Sequence, residues 1–367
     1  MLTVATFLRR KRASWSGPAQ PRFAVVVPAH NEVRTISGTL ESLERLDYPP
    51  ERYEVFVVAD NCVDSTAEVA RKFRCTAWER TDPWRRAKGF ALSWAFERIP
   101  VKYDAVVVVD ADTKVDSALL AEFARAYQPS TALQALSLQV SDSGAASATS
   151  YVASALQNGL KWGRENLGCS VGLGGTGMCI PRTLLEAVRW ERSGLAEDAE
   201  YHADLVLAGR RVRFVPEARV EATAPGTLRG LQSQRSRWER GRTDALSNFA
   251  GRLLRRAVQE QDARALEVLA AMAMPSFSLT VSAAAGCIAL GVLRRSTVGT
   301  AVGTLGLLAS AGATLRALWL VQAPTRVYAY SLVLPVFVVW RTYISLMSHL
   351  RGAGRDWVRT ERSGERG

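Results

Sequence analysis

The sequence predicts an α/β protein, a mainly parallel sheet flanked by helices, followed by C-terminal transmembrane helices. Three observations carry that expectation. β-branched apolar runs alternate with helix-period segments four times between residues 23 and 109, the pattern of a parallel sheet covered on both faces. The last run, residues 105–109, drives directly into Asp110-Ala111-Asp112. Beyond Arg242 the composition changes to long charge-poor stretches.

Residues 1–21 read as a loosely structured basic leader, because Arg9 and Arg12 precede Ser16-Gly17-Pro18 and Pro21, turn-forming residues that keep a segment out of a core. No apolar stretch follows the basic cluster, so this is not a signal peptide. Residues 23–27 form the first buried strand, stopped by Pro28. Asn31 is a candidate cap for a helix over 35–46, where Ile36, Leu40, Leu43 and Leu46 recur at helical spacing. A second strand, 55–59, closes on Asp60-Asn61, and Asp64-Ser65-Thr66 opens a helix to residue 73. A third strand over 76–79 and a helix over 87–98 lead to the valine strand. Ligands in such sheets bind beyond the carboxyl ends of the strands, where Asp60, Asp110 and Asp112 all stand. A helix over 116–127, a strand over 133–140, helices over 151–166, 181–190 and up to 208, a strand over 212–215 and an extended piece over 218–224 complete the sheet. Pro225-Gly226 then breaks the pattern before a basic helix. The expected boundaries are a catalytic domain over 22–245, a basic amphipathic linker over 246–267, membrane helices over 268–350 and a basic tail over 351–367.

Basic residues outnumber acidic ones by 47 to 35, a net charge of +12. Arg clusters in the C-terminal part alternate with uncharged runs, so lipid headgroups rather than nucleic acid are the expected partner. Residues 268–293 and 296–315 carry no charge, and 327–350 carry only Arg341. About 20 apolar residues span a bilayer as a helix, so about three membrane helices are expected, in the inner membrane with the catalytic domain on the cytoplasmic side. Three full spans would place the arginine-rich tail opposite that domain, against the positive-inside tendency; one segment can instead be interfacial or re-entrant. A buried helical subdomain of a soluble protein is the alternative. Cys62, Cys75, Cys169, Cys179 and Cys287 are scattered and form no CxxC pair, which excludes a disulfide frame or zinc site.

Several constellations can carry chemistry. Asp110 and Asp112 can hold a divalent ion through oxygen, or form a solvated turn. Lys88, at a helix start behind Arg85 and Arg86, is an anion site or an exposed basic turn. Asp60 can accept hydrogen bonds from a base or ribose, or cap the next helix. Asp198, paired with Glu197, can take a proton from an attacking hydroxyl, or complement a helix dipole. Gln234, Arg237 and Trp238 share a helix face suited to a sugar next to a diphosphate, or to solvent. Gly172 to Gly177 satisfies G-x-G-x-x-G with Glu197 twenty residues on. No good strand precedes it and Pro181 follows at once, so a dinucleotide fold is excluded in favour of a loop whose backbone can approach an acceptor. His30, His202 and His349 are too dispersed to form a metal cluster.

In order and spacing, VVVPAHNE from Val25, VVADNCVDST from Val57, RAKGFAL from Arg86, VVVVDADT from Val106, GGTGM from Gly174, AED from Ala196 and QRSRW from Gln234 resemble the family 2 inverting glycosyltransferases with the GT-A fold. The last motif resembles the branch holding hyaluronan, chitin and cellulose synthases and ceramide glucosyltransferases. The resemblance implies that Asp60 contacts a nucleotide base, with Pro28, Ala29 and Glu32 lining that pocket and Lys88 near the uridine. It implies that Asp110 and Asp112 bind the diphosphate and Mg²⁺ or Mn²⁺, and that Gly175, Thr176, Gly177 and Glu197 border the acceptor. Asp198 would be the base, and Gln234, Arg237 and Trp238 would hold diphosphate and acceptor. Ala196 departs from the more usual Thr, and the N-terminal transmembrane helix common in relatives is missing. The implied activity is transfer of a sugar, with inversion, from a nucleotide-diphosphate donor, UDP-linked by expectation, to a lipid or lipid-linked glycan. The alternatives are a processive polysaccharide synthase and a sugar-nucleotide nucleotidyltransferase; the latter would need neither the Gln234 to Trp238 face nor a membrane tail. A membrane scaffold with a decayed transferase domain would have lost catalytic residues that are all present here.

Overall fold

The computed structural model describes residues 2–6, 20–140, 145–225, 228–274, 276–331, 338 and 342. In chain order its elements are α1 (Leu2–Ala5), β1 (Phe23–Ala29), α2 (Ile36–Glu44), β2 (Tyr53–Asp60), α3 (Thr66–Ala70), β3 (Thr76–Arg80), α4 (Lys88–Phe96), β4 (Ala105–Val108), β5 (Thr113–Val115), α5 (Leu119–Ala126), β6 (Thr131–Val140) and α6 (Ala145–Asn166). There follow β7 (Met178–Pro181), α7 (Arg182–Ala187), α8 (Glu197–Leu207), β8 (Arg211–Thr223), α9 (Leu228–Gln259), α10 (Ala263–Ala273), α11 (Phe277–Leu293), α12 (Thr297–Leu320) and α13 (Thr325–Ser331).

Among the described residues the strands form one eight-stranded sheet in the order β3-β2-β1-β4-β7-β6-β8-β5. The half β3-β2-β1-β4 is parallel, with Val26 level with both Phe56 and Val108. The expected mainly parallel sheet is nevertheless mixed. β7 runs antiparallel to both β4 and β6, and β5 antiparallel to β8. The physical cause is the stretch before Met178, which returns the chain into the sheet at the carboxyl end of β4 and sends it back down.

β1 and β4 are apolar at consecutive positions because both faces of the sheet are covered. Alternation along β1 sends Phe23, Val25 and Val27 into one cluster with Ile36, Leu40 and Leu43 of α2 and Leu119, Leu120 and Phe123 of α5. Ala24 and Val26 enter the other, with Ala91 and Leu92 of α4, Val152 and Ala155 of α6 and Tyr201 of α8. A third cluster joins α8, α9 and α10 through Val206, Phe249, Leu253 and Val268.

Several boundaries differ from expectation. The pieces expected at 212–215 and 218–224 are one strand, β8, with a register break opposite Ala135 and Leu136, where Pro216 has no N–H to give. Residues 2–6 of the expected loose leader are docked. Asn166 Nδ2 donates to the Ala5 carbonyl at 2.8 Å, and Arg316 donates to Thr6 Oγ1 and O at 3.0 and 2.9 Å, so the carbonyls that end α1 are satisfied. The turn residues 16–18 lie outside the described residues.

The expected span over 268–293 is two helices. α10 ends at Ala273, Ser276 Oγ caps α11 by accepting from Leu279 N, and the two axes meet at 72°. Pro275 of the sequence has no N–H with which to continue a helix. Among the described residues α12 alone is long and apolar enough to cross a membrane, while α10 and α11 pass only as a bent pair. The third expected span lies mostly, and the tail over 351–367 wholly, outside the described residues.

Phe123 is fully buried under the sheet, so Phe123→Ala should cost about 3–5 kcal/mol. Denaturant unfolding followed by tryptophan fluorescence checks this; a loss below about 1 kcal/mol would show that α5 does not close this face.

Candidate active site

Because β1, β2 and β4 run parallel and in register, Ala29, Asp60 and Asp110 come out along one edge. At the β2 side Asp60 is buried and ion-paired to Arg80, the last residue of β3. Arg80 also reaches Asp82 Oδ2 at 3.1 Å and the Arg85 carbonyl at 3.0 Å. Asn31 and Asn61 take the left-handed conformation, with φ of 56° and 51°, which turns the chain sharply off each strand end. Their side chains cross-brace the loops: Asn31 Oδ1 accepts from Val63 N at 2.9 Å, and Asn61 Oδ1 from Asp82 N at 2.8 Å. Ala29 is buried and Pro28 half-buried behind this edge. Glu32 turns inward, where its Oε2 accepts from Thr35 Oγ1 at 2.6 Å and its N–H donates to Thr66 Oγ1 at 2.9 Å. These bonds give Glu32 a bracing place behind the pocket.

At the β4 side, Lys88 opens α4 and reaches into the centre of the crevice. Its Nζ lies 2.5 Å from Asp110 Oδ1, 2.6 Å from the Gly175 carbonyl and 3.9 Å from Glu197 Oε1. Burial works against the Lys88 charge, but Asp110 and Glu197 outweigh it and hold its pKa above the ordinary lysine value. α4 can sit this close because residue 89 is glycine: a Cβ there would lie 2.0 Å from the Arg192 carbonyl oxygen. Asp112 accepts, through its backbone carbonyl, from Thr223 N and Oγ1 at 3.1 and 3.0 Å, which ties the DxD turn to β8.

The loop over 174–177 closes the floor. Gly177 N donates to the Val108 carbonyl at 2.8 Å, and Asp110 N donates to Thr176 Oγ1 at 3.1 Å. Gln134, fully buried in β6, accepts from Gly174 N at 2.8 Å and donates to the Thr176 carbonyl at 3.0 Å. Gly175 and Gly177 have φ of +74° and +64°, and a Cβ on Gly177 would come within 2.9 Å of Ala135 Cβ; only glycine suits both demands.

Glu197 and Asp198 stand in the first turn of α8. Asp198 Oδ1 accepts from Ala199 N at 2.8 Å, and Oδ2 lies 3.6 Å from where a Cβ on Gly175 would be. Burial raises the Asp198 pKa, opposed by Lys88 and Lys161. Burial also pushes Glu197 up to about 7, with Asp198 adding to the rise and Lys88 opposing it. α9 packs on the turn before α8, where a Cβ on Gly241 would lie 2.9 Å from Ala196 Cβ; the smaller residue at 196 therefore matches this close helix. On α9, Gln234 Oε1 accepts from Gln139 Nε2 of β6 at 3.4 Å, and Trp238 stays 38% exposed.

Lys88, Asp110, Gly175, Glu197 and Asp198 are thus brought together, Asp60 lies to one side with Arg80, and Gln234 is held from α9. Lys88, expected near a uridine, sits with Asp110 and the glycine loop. Sequence reasoning missed Arg80, Gln134 and Lys161. A glutamine inside the apolar run of β6 was a usable signal; the other two had none. Among the described residues no group of three or more His, Cys, Asp or Glu side chains could hold a metal ion. Two carboxylates at a strand end fit a hard cation that takes its remaining oxygens from a bound diphosphate.

A carboxyl whose folded pKa is raised loses stability as pH climbs from its unfolded value through its folded one. Glu197→Gln should therefore gain melting temperature relative to the unsubstituted protein between pH 4.5 and 8, most of it by pH 7. Thermal unfolding across that range checks the sign, and a constant difference would refute it.

The family model described as glycosyltransferase like family 2 matches residues 21–241. The probable glycosyltransferase YdaM of Bacillus subtilis is 26% identical over 239 residues, 62% of this chain and 57% of that protein. Beta-monoglucosyldiacylglycerol synthase of Synechocystis sp. is 29% identical over 232 residues, 60% of this chain and 48% of that protein. The chain spans about half the length of these curated relatives. The mannosyltransferase PcManGT of Pyrobaculum calidifontis, solved with GDP-Man and Mn2+, shares the fold with a TM-score of 0.56 at 21% identity, over 86% of this chain and 92% of that one. A mixed sheet gathering Asp60, Asp110 and Asp198 at one edge, and a match over more than half the chain, make this protein a member of the family 2 glycosyltransferases, with a GT-A-like fold.

Proposed function

We propose that the chain is a metal-dependent, inverting glycosyltransferase that moves a sugar from a UDP-linked donor to the hydroxyl of a lipid or lipid-linked acceptor. The observation that carries this reading is the single crevice in which Lys88, Asp110, Glu197 and Asp198 meet the glycine loop at the strand ends. Asp60 and Arg80 would face the base, with Pro28 and Ala29 behind them. Asp110 and Asp112 would hold Mg²⁺ or Mn²⁺, whose charge stabilises a departing diphosphate. The Mn2+ with which PcManGT was solved supports a divalent ion.

Asp198 is the general base of this reading. Its carboxylate accepts the acceptor hydroxyl proton as the oxygen bonds to the anomeric carbon and the bond to the diphosphate breaks on the opposite face. Burial raises its basicity, which favours proton capture near neutral pH. Gly175, Thr176 and Gly177 leave room for the acceptor beside Glu197. Gln234, Arg237 and Trp238 form the opposing face that holds diphosphate and acceptor, as in the QxxRW branch. The lipid acceptor is supported by the likeness to the glucosyldiacylglycerol synthase and by the exposed apolar surface of α11 and α12, including Leu290, Leu305, Leu308 and Trp319. We assign residues 22–245 to catalysis, 246–267 to the bilayer interface and 268–350 to an inner-membrane anchor whose catalytic domain faces the cytoplasm. The likeness to the glucosyldiacylglycerol synthase favours addition of a single sugar over processive synthesis.

Asp198→Asn should lower turnover about 10²–10⁴-fold while leaving Mn²⁺-dependent UDP binding in place. UDP release from a panel of UDP-sugars with membrane lipids, alongside calorimetric UDP binding, checks both, and near-normal turnover would sink the assignment. Chelation with EDTA should abolish release and added Mn²⁺ restore it; turnover that persists in EDTA would remove the metal from the reading.

A further inference from the structure

Asp60 ends β2 and Arg80 ends β3, and the parallel register sets the two residues side by side. The pair they form is lopsided. Asp60 Oδ1 accepts from Arg80 Nη1 and, at 3.1 Å, from Asn61 Nδ2. Among the described residues nothing donates to Oδ2, and it is not one of the buried polar atoms left without a partner. It therefore opens to solvent at the strand ends.

The two groups that occupy Oδ1 are themselves held. Arg80 Nη1 also donates to the Arg85 carbonyl at 3.0 Å, and Nη2 to Asp82 Oδ2 at 3.1 Å, so the guanidinium fork cannot swing away. The Asn61 amide cannot turn over, because its Oδ1 accepts from Asp82 N at 2.8 Å. Backbone bonds fix the same corner: His30 Nδ1 shares a hydrogen bond with the Asp60 carbonyl at 2.7 Å, and Asn61 N donates to the Arg80 carbonyl at 2.7 Å. A carboxylate oxygen offers about two lone-pair sites. Both of those on Asp60 Oδ1 are taken.

We infer that Arg80 and Asn61 are positioning residues that set the choice of base: by filling Oδ1 they leave Asp60 one free oxygen, which fits the single imide N3–H of uracil. This rests on the reading in which Asp60 faces the base. The pairing edge of guanine presents two adjacent donors, N1–H and N2–H, which call for both oxygens of a carboxylate. Oδ1 has no site left for the second, and a buried donor without a partner is costly. Cytosine and adenine carry an acceptor nitrogen where uracil carries its N–H, so each sets a lone pair against Oδ2. Discrimination of this kind comes from the penalty imposed on the wrong base as much as from the bond made to the right one.

Asp60→Asn tests the pinning itself. With Arg80 and Asn61 both donating toward the Oδ1 position, the new amide must keep its oxygen there and present its NH₂ where Oδ2 stood. That group opposes uracil N3–H and suits the N3 acceptor of cytosine. Calorimetric titration of the whole protein in detergent with UDP, CDP and GDP, Mn²⁺ present, reads the outcome. The unsubstituted protein should bind UDP about tenfold or more tighter than CDP or GDP, and Asp60→Asn should bind CDP more tightly than UDP. Arg80→Met should bring GDP about tenfold closer to UDP, and Arg80→Lys should restore part of the gap. A merely structural role would weaken all three nucleotides together, and unmoved ratios overturn the inference. If Arg80→Met fails to fold, the nearly isosteric Asp60→Asn still decides. UDP binding that survives Asp60→Asn but is lost in Asp60→Leu would mean an amide free to turn over; the inference then fails and the base-facing reading of Asp60 stands. UDP binding unchanged in both variants would take Asp60 away from the base and end both.

Discussion

Everything at the crevice depends on how the end of β4 satisfies its backbone. A strand buried on both faces has no water at its sides, so the groups at its carboxyl end need protein partners or a heavy desolvation cost. The Val108 carbonyl and the Asp110 amide find theirs in one loop, at Gly177 N and Thr176 Oγ1. That pairing brings the glycine loop over the DxD turn, sets Gly175 beside Lys88 and Asp198, and starts β7 antiparallel to β4. Gln134 secures the same loop from β6. Four elements distant in sequence are thereby locked around one point.

Charge at that point is arranged in opposition. Around Glu197 and Asp198 burial and neighbouring carboxylates oppose ionisation, and Lys88 offsets them for both. Such networks depend on each member because a charge left unpaired after burial is costly. On the nucleotide side of the proposed site, Asp60 and Arg80 form a separate buried pair.

The apolar C-terminal helices are coupled to this arrangement through α6. α11 and α12 pack closely where Gly291 meets Thr300 and Gly303 meets the Ala284 carbonyl, the small-residue contact that lets helices approach when there is little hydrophobic drive between them. α12 then meets α6 where a Cβ on Gly159 would lie 3.1 Å from Ala317 Cβ. Gly159 is two residues before Lys161. The helix that carries Lys161 to the glycine loop is therefore held between the sheet and the helices proposed for the membrane.

Much of this was legible in the sequence, and the reason is local. β1, β2 and β4 announce themselves as apolar runs because both faces are buried, and β2 and β4 run out into Asp60 and Asp110, which the parallel register brings to one edge. The order of the motifs likewise carried the family. What stayed illegible was set by contacts between distant segments. β5 and β7 have three and four residues, too few for a period to show, and exist because β8, β4 and β6 offer them hydrogen bonds. Arg80 reads as an ordinary charge at a strand end until Asp60 is placed beside it. The run over 268–293 reads as one span until its bend is drawn. By itself the sequence determined the longer strands, the DxD turn and the acidic pair of α8, since burial and strand ends leave a mark in composition. Only the tertiary structure decided that Lys88 serves Asp110 and that Gly175 stands beside both Lys88 and Asp198, because such partnership depends on distance in space and leaves no period along the chain.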